Sequence, residues 1–170
     1  MPARAFRFLL GDRLRQEGFA NYKVANASIS GETTLGGKNR IAASLKDHRP
    51  DIVILALGAN DGLRGASLGD MRANLEALVD ASRKSGARVL LVGMRLPPNY
   101  GAAYTERFQK VYREVAASRK VPLVPFLLEG FAEKPAYFLS DTVHPSATAQ
   151  PLIRDTVWKG LRPLLTKRDP

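Results

Sequence analysis

The chain contains two histidines, His48 and His144. His48 lies among Lys46, Asp47 and Arg49 and reads as a solvated surface residue at a helix end. His144 follows Asp141 by three residues, in Asp141-Thr142-Val143-His144-Pro145. That spacing can bring a carboxylate to the imidazole, select its tautomer and stabilise its charged form. The alternative is a plain turn whose aspartate caps the last helix. Two further groups complete a chemical set. Asn60, in Gly58-Ala59-Asn60-Asp61-Gly62, offers an amide donor, and Gly31, in Ser30-Gly31-Glu32-Thr33-Thr34, offers a backbone N–H. Either residue is also an ordinary turn former. Taken together, two donors and an Asp–His pair are what attack on an ester requires: an oxyanion hole and a general base.

The elements that must position these groups follow from apolar patterning. Ile52–Leu57 is an unbroken apolar run of strand length, which predicts a strand buried on both faces. It ends at the Gly-Ala-Asn-Asp-Gly tip, and in open parallel α/β sheets ligands bind beyond the carboxyl ends of strands. Tyr22–Ile29 is expected as another strand, leading to the Gly31 turn. Ile41–His48 is a short helix ending before Arg49-Pro50. Met71–Ser85 is an amphipathic helix closed by Gly86. Arg88–Met94 is the next strand, and Arg95–Gly101 is too rich in proline for a regular element. Tyr104–Arg119 is a helix, Val121–Phe126 a strand, Glu129–Leu139 irregular or partly helical, and Ala147–Leu165 the closing helix. In Ala5–Gly18, Phe6, Leu9, Leu10 and Leu14 fall at helical spacing, although Gly11 weakens a helix by about 1 kcal/mol. A strand at Phe6–Leu10 is the competing reading. Strands alternating with helices of this length imply a parallel sheet with helices on both faces.

Composition bounds the partners. At 170 residues, with 45% hydrophobic and 25% charged residues, the chain has the make-up of one globular domain, residues 1–170, with a loose tail at Thr166–Pro170. No stretch approaches the ~18 apolar residues of a transmembrane helix. Without cysteine, disulfide and thiolate chemistry are excluded and the redox compartment is unreadable. The net charge of +10 would suit a nucleic acid or an anionic membrane, but the basic residues are scattered and mostly sit beside acids. Nucleic acid is therefore not expected as a partner. Neither a metal site nor a cofactor is expected.

The motifs Asn26-Ala27-Ser28-Ile29-Ser30-Gly31, Gly58-Ala59-Asn60-Asp61 and Asp141-Thr142-Val143-His144-Pro145 stand in the order and spacing of the SGNH (GDSL) hydrolases. The loop Arg95-Leu96-Pro97-Pro98-Asn99-Tyr100-Gly101 resembles that of the branch holding bacterial thioesterases, lysophospholipases and arylesterases. The resemblance covers nearly the whole chain. It implies a flavodoxin-like three-layer α/β/α sandwich with a parallel sheet, and a hydrolase acting on small acyl esters or thioesters. It makes His144 the catalytic base, Asp141 its orienting acid, and Gly31 and Asn60 the oxyanion donors. Leu96, Pro97, Asn99 and Tyr100 would border the acyl pocket.

The resemblance departs at one place. The family opens with a strand followed by Gly-Asp-Ser-Leu, whose serine is the nucleophile, and no Gly-Asp-Ser occurs in these residues. Gly11-Asp12-Arg13-Leu14 has arginine at that point and lies too close to Tyr22 for a βαβ crossover of ~10–12 residues or more. It reads as part of a helix. Ser28 and Ser30 read as turn residues, so no nucleophile is identified. The first strand is expected to be missing or replaced, by Ala5–Leu10 or by a segment of another chain. Such a vacancy would favour self-association. A missing or misplaced start would leave a serine esterase without its nucleophilic block. The alternative is a non-catalytic binding protein that has kept the pocket. The compartment, cytoplasmic or periplasmic in type, is left open.

Overall fold

The computed structural model describes residues 2–141 and 144–166. Thr142, Val143 and residues 167–170 of the expected tail lie outside the described residues. In chain order the elements are α1 (Pro2–Gln16), α2 (Thr34–His48), β1 (Ile52–Leu55), α3 (Ala59–Leu63), α4 (Leu68–Lys84), β2 (Arg88–Val92), α5 (Ala102–Arg119), β3 (Leu123–Val124) and α6 (Gln150–Leu161). Short 3-10 turns lie at Pro98–Tyr100, Pro135–Tyr137, Ala147–Ala149 and Arg162–Leu164. The chain divides into two compact units: Met1–Ser28 with Leu127–Pro170, and Ile29–Phe126.

The Ile29–Phe126 unit holds a parallel sheet in the order β1-β2-β3, with Ile54 opposite Leu90 and Leu91 opposite Leu123. Both crossovers step the same way across the sheet. Right-handed connections therefore set α4 and α5 on one face. The apolar stripe predicted for α4 supplies Met71, Leu75, Leu78 and Val79, all buried. They join Leu55, Val89 and Leu91 from the sheet and Phe108, Val111, Tyr112 and Val115 from α5. Burying each such side chain contributes roughly 1.5–3 kcal/mol. The Ser67 hydroxyl caps α4 by accepting from the Asp70 N–H at 3.2 Å. Gly86, at φ +91°, ends it as expected.

In the other unit, α1 packs on α6. Leu10, Leu14, Phe19, Val157 and Leu161 are buried there, and Phe19 meets Trp158 edge-on at 6.4 Å. The helical reading of Ala5–Gly18 holds, so Ala5–Leu10 forms no strand. Arg13 pairs with Glu17 one turn on, at 2.9 Å, as a helix residue does.

Two expectations need correction. Tyr22–Ile29 forms no strand. Its second half makes a local turn instead, with the Ser28 N–H donating to Asn26 Oδ1 at 3.0 Å. Such side-chain bonds compete with a ladder, and among the described residues no strand lies alongside to win. The run Ile52–Leu57 is strand only to Leu55, and Ile52, Val53 and Ile54 are half-buried rather than enclosed. The reason is position: among the described residues β1 pairs with β2 alone, so it is an edge strand. Elsewhere the differences are at boundaries. α2 begins at Thr34, not Ile41, because the Thr33 hydroxyl caps it by accepting from Gly36 N–H at 3.2 Å. The strand expected over Val121–Phe126 shortens to Leu123–Val124, and the closing helix is flanked by 3-10 turns.

Candidate active site

Past β1 the backbone turns at Gly58, where φ is +111°. That conformation favours glycine, and a Cβ there would lie 2.4 Å from Tyr112 Oη and 2.6 Å from Met71 Cε. The turn opens α3, whose second residue is Asn60. Its Nδ2 donates to the Glu32 carbonyl at 2.9 Å. Gly31, one residue earlier, sits at φ +76° in a turn closed by the Glu32 N–H to Ile29 carbonyl bond of 3.3 Å. Among the described residues the Gly31 N–H meets no acceptor. The two expected donors are thus brought to one place by a side-chain bond between their loops.

A second tie is buried beneath them. Asp61, 5% exposed, accepts from the Thr34 N–H at 2.9 Å and from the Thr34 hydroxyl at 2.5 Å. Asn74 Nδ2 donates to the same hydroxyl at 3.3 Å. The carboxylate therefore sits at the N-terminus of α2, where aligned peptide dipoles favour negative charge. Tyr112 supports the tip from α5, donating to the Leu57 carbonyl at 2.9 Å. Burial, with the nearby charge of Asp61, raises its hydroxyl pKa far above the usual phenol range, so it stays a neutral donor. Glu32 in turn accepts from Arg40 Nε at 2.6 Å. Arg64, at the end of α3, donates to the Gly31 carbonyl at 3.1 Å.

From the sequence, Asp61 and Thr34 stand only within motif strings and Tyr112 only on an apolar helix face, while Arg64 is passed over. The available signal was the carboxylate adjoining Asn60; a buried Thr–Asp bond across 27 residues has no sequence signature.

The Asp–His pair belongs to the other unit. Asp141 Oδ2 lies 2.9 Å from His144 Nδ1, and Asp141 Oδ1 accepts from the His144 N–H at 2.9 Å. An ionised carboxylate there requires a proton on Nδ1, which leaves Nε2 as the free basic nitrogen. The side chains are 62% and 48% exposed for His144 and Asp141, so Nε2 is accessible. The turn carrying them is closed by the Phe138–Pro145 bridge, with the Leu139 N–H on the His144 carbonyl at 2.8 Å.

In the Arg95–Gly101 loop, Leu96 is buried among the apolar core of α4 and α5, while Pro97 and Asn99 are exposed. The Tyr100 hydroxyl donates to the Leu63 carbonyl at 3.0 Å, which fastens the loop to α3. Ser28 and Ser30 are exposed, and His48 ends α2 in solvent.

The sequence matches the profile of the GDSL-like lipase/acylhydrolase family over residues 1–150. The chain belongs to that family. This acylhydrolase is 46% identical over 157 residues to Esterase TesA of Pseudomonas aeruginosa, covering 92% of the chain and 78% of the relative. It is 42% identical over 142 residues to Thioesterase 1/protease 1/lysophospholipase L1 of Escherichia coli, covering 84% and 68%. The crystal structure of TesA superposes on it with a TM-score of 0.91 at 46% identity, covering 94% of this chain and 88% of that one. The α/β class with a parallel sheet expected from the sequence is that of this acylhydrolase family. Among the described residues no helix is long and apolar enough to cross a membrane.

Proposed function

We propose that this chain supplies the base and the oxyanion hole of a serine-type hydrolase of small acyl esters and thioesters. The single observation that carries the reading is the pairing of Gly31 and Asn60 by the 2.9 Å bond from Asn60 Nδ2 to the Glu32 carbonyl. It brings Asn60 beside the Gly31 turn and leaves one Asn60 amide hydrogen available for an oxyanion. Names of relatives support the class: esterase for one, thioesterase and lysophospholipase for another.

His144 Nε2 takes the proton of a serine hydroxyl as its oxygen attacks the acyl carbonyl carbon. The carbonyl oxygen becomes an oxyanion held by the Gly31 N–H and the Asn60 amide, donors worth ~10²–10³-fold each in kcat. Asp141 stabilises the imidazolium, which then protonates the departing alcohol or thiol. Water repeats the sequence on the acyl-enzyme and regenerates the serine. Pro97, Asn99 and Tyr100 line the acyl side, with Leu96 beneath them. The hydrogen bond from Tyr100 to Leu63 in α3 supports that placement by keeping the loop beside Asn60.

Ser28 and Ser30 read as turn residues, and no Gly-Asp-Ser string occurs in the 170 residues. The open edge of β1 bears on this. The Arg88 N–H donates to the Asp51 carbonyl at 2.9 Å, so in a parallel ladder Ile52 and Ile54 turn their backbone groups away from β2. A strand added there, from a second copy or ahead of a Gly-Asp-Ser-Leu block, would satisfy them.

The test is to compare the chain with a form bearing a prepended strand–Gly-Asp-Ser-Leu block, by p-nitrophenyl ester hydrolysis and sedimentation. The extended form is expected to hydrolyse and to be monomeric, the short form to turn over little and to self-associate. Hydrolysis by neither form would reject the esterase reading for a binding protein. Turnover by the short form that vanishes in Ser28→Ala or Ser30→Ala would show the nucleophile to be misassigned.

A further inference from the structure

We propose that Arg64 is a positioning residue for the oxyanion hole: by holding the Gly31–Glu32 peptide through the Gly31 carbonyl it steadies the turn and, through the Gly31 α-carbon, the adjoining Ser30–Gly31 peptide that carries the Gly31 N–H. The proposal rests on the reading of Gly31 and Asn60 as a donor pair.

Three observations carry it. First, Gly31 stands in an exposed turn at φ +76°, where glycine leaves the flanking peptides free to rotate. The bond from the Glu32 N–H to the Ile29 carbonyl, at 3.3 Å, is one restraint on that turn. Second, the Gly31 carbonyl accepts from Arg64 Nη2 at 3.1 Å. Of the surrounding atoms, a Cβ on Gly31 would approach only Arg64 Nη2, at 3.7 Å, so the guanidinium lies over the α-carbon itself. Third, Arg64 is the C-cap residue of α3, and its own N–H bonds the Asn60 carbonyl at 3.2 Å. One residue thus grips the backbone of both donor positions, through its main chain at Asn60 and through its side chain at Gly31.

The physical consequence is specific. The Asn60 amide is oriented by the Glu32 carbonyl and Asp61 is anchored on Thr34, so the Asn60 side of the hole is rigid without Arg64. The Gly31 carbonyl has no other hydrogen-bond donor among the described residues. Removing the guanidinium leaves the Gly31–Glu32 peptide held only by the 3.3 Å bond from the Glu32 N–H to the Ile29 carbonyl, and the looser turn lets the adjoining Gly31 N–H spend part of its time off the oxyanion. Arg64 acts on the acyl group only through the Gly31 peptide, so substrate binding should hold while transition-state stabilisation falls. Lysine would keep a donor within reach of the Gly31 carbonyl without the planar fork.

The test has two readouts on Arg64→Ala, Arg64→Lys and the control Arg83→Ala, an exposed arginine that bonds the Arg119 carbonyl elsewhere in the unit. In the 170-residue chain, nuclear magnetic resonance follows the Gly31 carbonyl carbon, the Glu32 amide nitrogen and exchange of the Gly31 N–H. Arg64→Ala should shift both resonances and alter that exchange, while Arg83→Ala leaves all three in place. In the form bearing the Gly-Asp-Ser-Leu block, Arg64→Ala should lower kcat by roughly 3- to 30-fold with KM unchanged, less than the ~10²–10³-fold cost of losing a donor outright. Arg64→Lys should recover part of that loss. Unmoved Gly31 and Glu32 resonances in Arg64→Ala overturn the proposal, as does an unchanged kcat. Moved resonances with no hydrolysis by any form reject the esterase reading instead and leave the contact between Arg64 and Gly31 standing.

Discussion

Tyr112→Phe isolates one bond under the Asn60 tip. Tyr112 is 1% exposed, and its hydroxyl donates to the Leu57 carbonyl at 2.9 Å. Phenylalanine keeps the ring and its edge-on contact with Phe108, 5.5 Å between centroids, so little packing is lost. What is lost is the donor to a part-buried carbonyl, which costs about 1–3 kcal/mol where water does not replace it. That is a large fraction of a total stability of ~5–15 kcal/mol. The pH dependence gives the second half of the test. Burial first, then the charge of Asp61, hold the folded phenol protonated well above the ordinary value of about 10. The folded pKa is raised, so the contribution is complete below about pH 10. Above it the unfolded phenol ionises and the folded one does not. Unfolding then releases a proton, and stability falls by up to ~1.4 kcal/mol per pH unit from this group. The phenylalanine variant has no such proton to release. Urea unfolding followed by far-ultraviolet circular dichroism should therefore show the native chain more stable by about 1–3 kcal/mol at neutral pH, and the gap should narrow above about pH 10. A variant as stable as the native chain at neutral pH, or a gap that widens in alkali, refutes the reasoning.

Other substitutions probe the same frame. Asp61→Ala strands the Thr34 N–H and hydroxyl and should cost about 2–4 kcal/mol in urea unfolding, with Asp61→Asn intermediate because it keeps one acceptor. Gly62→Ala should cost about 1–3 kcal/mol by overpacking, since a Cβ would lie 2.5 Å from Phe108 Cε2 and 2.8 Å from Leu96 Cδ2. The thermal midpoint checks it. His144→Ala removes an exposed side chain and should move stability by no more than ~0.5 kcal/mol. In a hydrolysing form it should lower kcat by ~10²–10⁴-fold. A stability loss with unchanged turnover would assign His144 to structure instead.

The sequence by itself determined the elements whose signal is periodic and local. The stripe Met71, Leu75, Leu78, Val79 makes α4, and Phe108, Val111, Tyr112, Val115 makes α5, because those faces must leave water wherever they are placed. It allowed the Asp141–His144 contact without requiring it, since the same spacing suits an aspartate that caps the last helix; the 2.9 Å approach of Oδ2 to Nδ1 is seen only in the structure. The motif order sufficed to name the family that the profile then matched. Only the tertiary structure decided what depends on a partner far along the chain. Ile52–Leu57 and Tyr22–Ile29 read alike as strands, yet one pairs with Arg88–Val92 and the other folds into an Asx turn, because a strand exists through its neighbour. β1 became an edge, and so half-exposed, for the same reason. The bonds from Asp61 to Thr34 and from Arg64 to Gly31 join residues 27 and 33 positions apart. Nothing in either local sequence announces such a bond. Packing of α2 against α4 carries the two loops together; the buried Asp61 is then left with Thr34 as its partner, while Arg64 reaches Gly31 at the surface.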